Sequence, residues 1–186
     1  MADTTPLEMA DAFATVVADG VHCEPIPVVS ITDGNGRPAV DAKGAEVAKP
    51  RCAQVLSADV ARGAVDAARC VTGYKAATGD WGGWSTASRV FATVRRPIAG
   101  KSGTTDDDRS AWFVGMTPGL TVSGFIADPD NPVHRVGAGN AGKPRETVAE
   151  TMRDALAGTP VRGFVAPGPQ IVGKKPAAKP RTRSRV

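Results

Sequence analysis

Pro97-Ile98-Ala99-Gly100-Lys101-Ser102-Gly103-Thr104, Ala111-Trp112-Phe113-Val114-Gly115-Met116 and Leu120-Thr121-Val122-Ser123-Gly124-Phe125-Ile126-Ala127 are the three runs that decide the fold. Each has the length of a strand, and the second and third are rich in the β-branched and aromatic residues that strands favour. Thr117-Pro118-Gly119 supplies turn chemistry between the last two. Three consecutive strands with short connections predict an antiparallel meander.

Helices flank these strands in the sequence. Thr5-Pro6-Leu7-Glu8 reads as a helix start: Thr5 caps, Pro6 suits the first helical position, and Glu8 completes a capping box. Leu7, Ala10, Phe13, Ala14 and Val17 follow at spacings of three and four, so a helix is expected over about residues 6–19, ended by Gly20. Ser57 is placed to cap a second helix through about Val71, with Val60, Ala64, Ala67, Ala68 and Val71 as its inner face. A third is expected from Glu146 to Ala157, ended by Gly158 and Pro160. Between the first two, Pro25 to Ile31 reads as an edge strand, Asp33-Gly34-Asn35-Gly36 as a turn, and Arg37 to Val40 as a returning strand. Gly73 to Ser88 reads as a loop carrying Trp81 and Trp84, and from Val90 the reading is β. The order predicts an α+β fold, helices packed on an antiparallel sheet.

Apolar residues make up 41% of the chain and charged residues 23%, the balance of a globular protein with a core. The net charge of +4 is unevenly placed. Six of the 23 basic residues lie between Lys174 and Arg185, which leaves 17 against 19 acids and a net of −2 elsewhere. Residues 1–168 are therefore read as the folded portion and residues 169–186 as a basic, disordered tail with too little apolar surface to order. Such a tail can anchor to anionic wall or membrane polymers, or simply be a solvated end. The weakly acidic body argues against specific nucleic-acid binding. No apolar run reaches the ~18 residues of a membrane span, and the first residues lack the features of a signal peptide. The cysteines, Cys23, Cys52 and Cys70, and the histidines, His22 and His134, have no zinc-site spacing, so neither metal nor cofactor is expected. Cys23 and Cys52 flank the irregular arm and could form a disulfide in an oxidising compartment.

Lys101-Ser102-Gly103-Thr104-Thr105 holds the candidate chemistry. Lys101 offers a fixed cation. Ser102 and Thr104 point to one face of a strand because side chains alternate. Gly103 between them lets a peptide backbone approach and pair along a strand edge. That combination suits a peptide ending in a carboxylate, although a hairpin bend with a solvated lysine has the same residues.

The longer stretch Arg96 to Leu120, with Gly100-Lys101-Ser102-Gly103-Thr104-Thr105 followed by Ala111-Trp112-Phe113-Val114-Gly115-Met116-Thr117-Pro118, closely resembles the transpeptidase domain of bifunctional, class A penicillin-binding proteins. Thr5 to Ala10, Ala18-Asp19-Gly20, Cys52 to Leu56 and the segment Glu146 to Leu156 extend the likeness, so residues 4–168 are covered. Ser102, Asp107 and Met116 depart from the commonest residues of the family. The resemblance implies a β-lactamase-like fold and a serine-type D,D-transpeptidase of peptidoglycan synthesis, extracytoplasmic and membrane-anchored in the parent protein. It implies that Lys101 keeps a proton network and the substrate carboxylate in place. Ser102 and Thr104 would bind the carboxylate of a stem peptide or β-lactam, flanked by Gly103 and Thr105. The Thr104 backbone N–H would be one oxyanion donor. No serine in the chain has a lysine three positions later, and none has an asparagine two positions later. The acylated serine of S-x-x-K and the S-x-N motif are thus absent. The sequence therefore predicts a substrate-holding part that does not catalyse alone, with the N-terminal half of the domain as a partner. A non-catalytic peptidoglycan or wall-polymer binding module is the alternative.

Overall fold

The computed structural model describes residues 4–79, 83–169 and 171; Trp81 and all but two residues of the basic tail lie outside them. The elements in order are α1 (Pro6–Val17), β1 (Val21–Cys23), β2 (Cys52–Gln54), α2 (Ala58–Ala68), α3 (Tyr74–Ala77), α4 (Arg89–Val94), β3 (Ala99–Thr104), β4 (Ser110–Thr117), β5 (Leu120–Ala127) and α5 (Lys143–Ala155). Short 3-10 turns occupy Asp106–Asp108 and Ala138–Asn140.

The meander forms as expected, an antiparallel sheet in the order β3-β4-β5. Its register pairs Ser102 with Phe113 and Phe113 with Gly124, so these three share one face. Lys101, paired with Val114, and Gly103, paired with Trp112, belong to the other. Both faces are covered by helices. On the first, Phe113 joins Ala87, Val90, Val94, Ile98, Val148, Ala149, Met152 and Leu156 in the main core beneath α4 and α5. On the second, Ala99 and Met116 pack with Val65 of α2 and with Phe13, Val16 and Val17 of α1. Glycines admit α5 to the sheet. A Cβ on Gly115 would lie 2.7 Å from Met152 Sδ, and one on Gly124 would lie 2.7 Å from Val148 Cγ2. Any side chain there would push the helix away.

The capping box of α1 is present: Glu8 N–H donates to Thr5 Oγ1 at 3.2 Å, and Thr5 N–H donates to Glu8 Oε2 at 2.7 Å. The helix ends at Val17, where Asp19 and Gly20 take positive φ values of 56° and 83°. Asp19 then meets Arg62 of α2 through Nε at 3.0 Å and Nη2 at 2.7 Å. This bidentate pair ties α1 to α2 at the turn.

Several local expectations are corrected. Residues 89–94 are helical, not β. Val90 and Val94 are four apart and both buried, a helical stripe that their β-branched chemistry conceals. Arg95, in the left-handed region at φ 55°, ends the helix ahead of Pro97. Residues 74–77 form a helical turn within the expected loop. The face of α2 is also rotated from the expected one. Ala61 and Val65 are buried while Val60 is 50% exposed, because an alanine-rich helix is apolar on several sides and its sequence does not choose among them. Ser57 makes no side-chain cap bond; its carbonyl simply accepts from Ala61 N–H at 3.0 Å. Helix α5 begins at Lys143, earlier than Glu146, with Pro144 in its first turn.

The arm contains no regular strand between β1 and β2. Isolated bridges join Thr32 to Pro38 and Val40 to Glu46, since Pro25, Pro27 and Pro38 withhold ladder donors. Two similar turns shape it. Asp33 Oδ1 accepts from the N–H groups of Asn35 and Arg37 at 2.8 and 2.9 Å; Asp41 Oδ1 accepts from Lys43 and Ala45 at 2.8 and 3.0 Å. At the base, β1 and β2 set Cys23 opposite Cys52 with Cα atoms 4.0 Å apart, and a disulfide joins them. Glu24 and Arg51 pair just above it at 2.6 Å. Cys70 is a half-buried free thiol.

Two outcomes follow from these ties. The Arg62 guanidinium holds the Asp19 carboxyl below its ordinary value. A carboxyl with a depressed folded-state pKa stabilises above its unfolded pKa and loses that contribution as pH falls through the folded value. Asp19→Asn keeps a residue tolerant of positive φ, and it should lower the unfolding midpoint at pH 7 by an amount corresponding to at most about 1 kcal/mol. Thermal scans of the two proteins should converge as pH falls below about 4, the ordinary carboxylate range. Thiol titration of the oxidised, unfolded chain should find Cys70 alone. Breaking the bridge over its separation of 29 residues should cost roughly 3–4 kcal/mol in denaturant unfolding.

Candidate functional site

Among the described residues, strand β3 is an edge of its sheet, paired on one side only. Which backbone groups face outward follows from the hairpin. Thr105 N–H donates to Ser110 O at 3.1 Å, so odd-numbered residues turn their backbone polar groups toward β4. Ser102 and Thr104 therefore present theirs to the open edge. Lys101 Nζ is consistent with this, since it donates to the outward Ser102 carbonyl at 2.5 Å. Lys101 is exposed and, among the described residues, has no ion-pair partner.

The five motif residues divide by position. Lys101 and Gly103 belong to the α1/α2 face; Ser102 and Thr104 belong to the α4/α5 face. Thr105 stands at the bend, where its hydroxyl accepts from Ser110 N–H at 2.8 Å and from Ser110 Oγ at 3.3 Å. It closes the hairpin. Gly103 leaves room beside the strand, since a Cβ there would meet only Trp112 Cβ, at 3.7 Å. Across from it, Trp112 stacks on Phe125 with ring centroids 4.8 Å apart. The acidic turn after the motif is held from outside: Asp107, at φ 60°, accepts from Arg109 at 3.0 Å and from Arg135 at 2.8 Å.

Sequence reading missed two neighbours. Ser102 Oγ and Thr86 Oγ1 lie 3.0 Å apart, in hydrogen-bond contact, and the Thr86 carbonyl accepts from Arg145 Nη1 at the start of α5. Neither residue belongs to the motif, and separations of 16 and 59 residues leave no local signal for these contacts. A cavity of about 280 Å³ lies behind Thr86, between the starts of α4 and α5, lined also by Ser88, Thr93, Arg145 and Glu146. The motif edge itself is an open surface. Among the described residues, no three His, Cys, Asp or Glu side chains gather as a metal site. No helix among them is long and apolar enough to cross a membrane.

The chain as a whole is similar to known proteins. The chain is 30% identical to penicillin-binding protein 1A of Neisseria lactamica over 172 residues, 92% of this chain and 20% of that protein. It is 29% identical to penicillin-binding protein 1A of Mycolicibacterium smegmatis over 94% of this chain and 22% of the relative. The chain belongs to the class A penicillin-binding proteins, in the C-terminal part of the transpeptidase domain. The fold agrees. The crystal structure of penicillin-binding protein 1A from Haemophilus influenzae superposes with a TM-score of 0.68 at 24% identity, over 88% of this chain and 28% of that one. Penicillin-binding protein 3 of Mycobacterium tuberculosis, complexed with aztreonam, gives 0.51 at 19% identity, over 88% of this chain and 37% of that one. The chain thus spans about a fifth of the length of the curated penicillin-binding proteins it matches. No protein-family model matches it.

Proposed function

We propose that the open edge of β3 is the substrate-holding wall of a peptidoglycan D,D-transpeptidase site. It would receive the terminal carboxylate of a D-alanyl-D-alanine stem peptide or the β-lactam that resembles it. The observation that carries this is the outward backbone of Ser102 and Thr104 beside the exposed Lys101. A peptide laid along the edge would extend the sheet by backbone pairing. Its carboxylate would be met by the Ser102 and Thr104 hydroxyls and by the charge of Lys101, released from the Ser102 carbonyl. The Thr104 N–H would donate to the carbonyl oxygen under attack, where negative charge develops.

Acylation needs a nucleophile, which in this family is the serine of S-x-x-K. No serine of the 186-residue sequence has a lysine at that spacing. The second oxyanion donor, that serine's own N–H, is missing with it. The wall would therefore bind without turning over, and the remainder of a transpeptidase domain is its partner in catalysis. The bridge between Cys23 and Cys52 suits an oxidising, extracytoplasmic setting. Wall or membrane polyanions are the partners proposed for the basic tail.

A fluorescent β-lactam should leave no covalent band on the purified chain; a band would overturn the reading of a wall without a nucleophile. Titration with diacetyl-L-lysyl-D-alanyl-D-alanine, followed by backbone NMR, should shift the amides of Ser102 and Thr104. Lys101→Ala should weaken that binding about tenfold, the loss of one charge-assisted contact. Gly103→Val should leave the fold intact, because the space beside Gly103 is open, and thermal unfolding checks this. Unchanged amides along β3 at saturating peptide would refute the carboxylate wall.

A further inference from the structure

We infer that Thr86 is a positioning residue for the carboxylate site, orienting the hydroxyl of Ser102 toward the open edge of β3. This inference rests on the carboxylate reading of that edge and adds a residue outside the motif to it.

The Ser102 and Thr86 hydroxyl oxygens lie 3.0 Å apart, in hydrogen-bond contact. A hydroxyl has a single hydrogen to give, and an ionised carboxylate can only accept. When a carboxylate reaches Ser102, that hydrogen must turn to the ligand. The contact with Thr86 is then made with the Thr86 hydroxyl as donor and Ser102 Oγ as acceptor. Two hydroxyls then stand in series, Thr86 to Ser102 to carboxylate, and each bond polarises the next. Ser102 is also held in one rotamer. Without Thr86 its hydroxyl would rotate among three staggered positions, only one of which addresses the edge.

The placement of Thr86 is itself secured from two sides. Its neighbour Ala87 is 5% exposed in the main core and donates its N–H to Val71 O at 2.9 Å. Its own carbonyl accepts from Arg145 Nη1. Beside it lies the cavity of about 280 Å³, which Thr86 and Arg145 line together. Arg145 in turn leaves the first turns of α5, which Val148 and Met152 lock into the core at 1% and 0% exposure. A continuous path runs from the core through Arg145 and Thr86 to Ser102.

The test compares the intact chain with Thr86→Val, Thr86→Ala and Thr86→Ser variants. Each is titrated with diacetyl-L-lysyl-D-alanyl-D-alanine and with the same peptide as its C-terminal amide. The wild type should prefer the acid. Thr86→Val and Thr86→Ala should bind the acid about tenfold more weakly, as expected for a hydrogen bond serving a charged acceptor, and the amide unchanged. Thr86→Ser should restore the acid. Denaturant midpoints report whether each variant folds, and Arg145→Gln, acting one step back, should give a smaller loss confined to the acid. Full retention of acid preference in Thr86→Val and Thr86→Ala would overturn the inference and leave the carboxylate wall standing. Equal loss of acid and amide would also overturn it, reducing Thr86 to a structural role. A wild type that does not prefer the acid would overturn both readings.

Discussion

Phe113 is fully buried between the sheet and α5, and its position fixes the direction of every residue on β3. The period of a strand is two, so a slip of one residue would turn Phe113 to the other face and Ser102 with it. The cost of such a slip is large. Phe113 packs in one core with Ile98, Val148 and Met152, each at most 1% exposed. Gly115 and Gly124 make the same demand from the helix side, because α5 makes its closest approach where β4 and β5 have no side chain. The motif's geometry is thus set by residues that touch no ligand. Lys101 alternates with Ser102, and the outward backbone of Ser102 and Thr104 alternates with the inward backbone of Gly103 and Thr105.

What could be read in the sequence follows the range of each interaction. The meander was legible because strand and turn residues are neighbours in the chain, and β5 has the expected ends, Leu120 and Ala127. The capping box at Thr5 and Glu8 was legible for the same reason. Residues 89–94 were not, since Val90, Phe91 and Val94 carry strand propensity while their spacing is helical, and burial against α5 decided between the two. The second turn of the arm was missed because Asp41-Ala42-Lys43-Gly44 lacks the Asn-Gly pair that marks the first. Thr86 and Arg145 were invisible for a different reason. Nothing local distinguishes a threonine that meets Ser102 from one that meets water, and the contact exists only once α4, α5 and β3 have packed.

The two flanking regions are held in different ways. At the arm, covalent and ionic ties at the base, Cys23 to Cys52 and Glu24 to Arg51, define a segment whose own interior has few apolar contacts; Val29 is 89% exposed. At the acidic turn after the motif, two left-handed residues, Asp107 and Asp108, are kept in place by Arg109, Arg135 and the backbone of Val136 and Gly137. Left-handed conformations in non-glycine residues are costly and persist where the surroundings over-determine them. Here they set the end of β3, and with it the outward N–H of Thr104.

On the proposed reading, residues from opposite faces serve one ligand because the site is a strand edge. A peptide added to the sheet would lie in its plane, continuing the order of strands. From that position it is reached from both sides at once. Lys101 comes from the α1/α2 face, where Trp112 and Phe125 stack beyond Gly103. Ser102 and Thr104 come from the α4/α5 face, where Thr86 waits behind Ser102. On the proposed reading the two sides differ in kind. The lysine contributes a mobile charge that must leave the Ser102 carbonyl. The hydroxyl side is backed by a fixed path to the core. Long-range attraction then comes from the flexible side, and discrimination for the planar carboxylate comes from the rigid one, because only a preorganised donor distinguishes an acceptor by its direction.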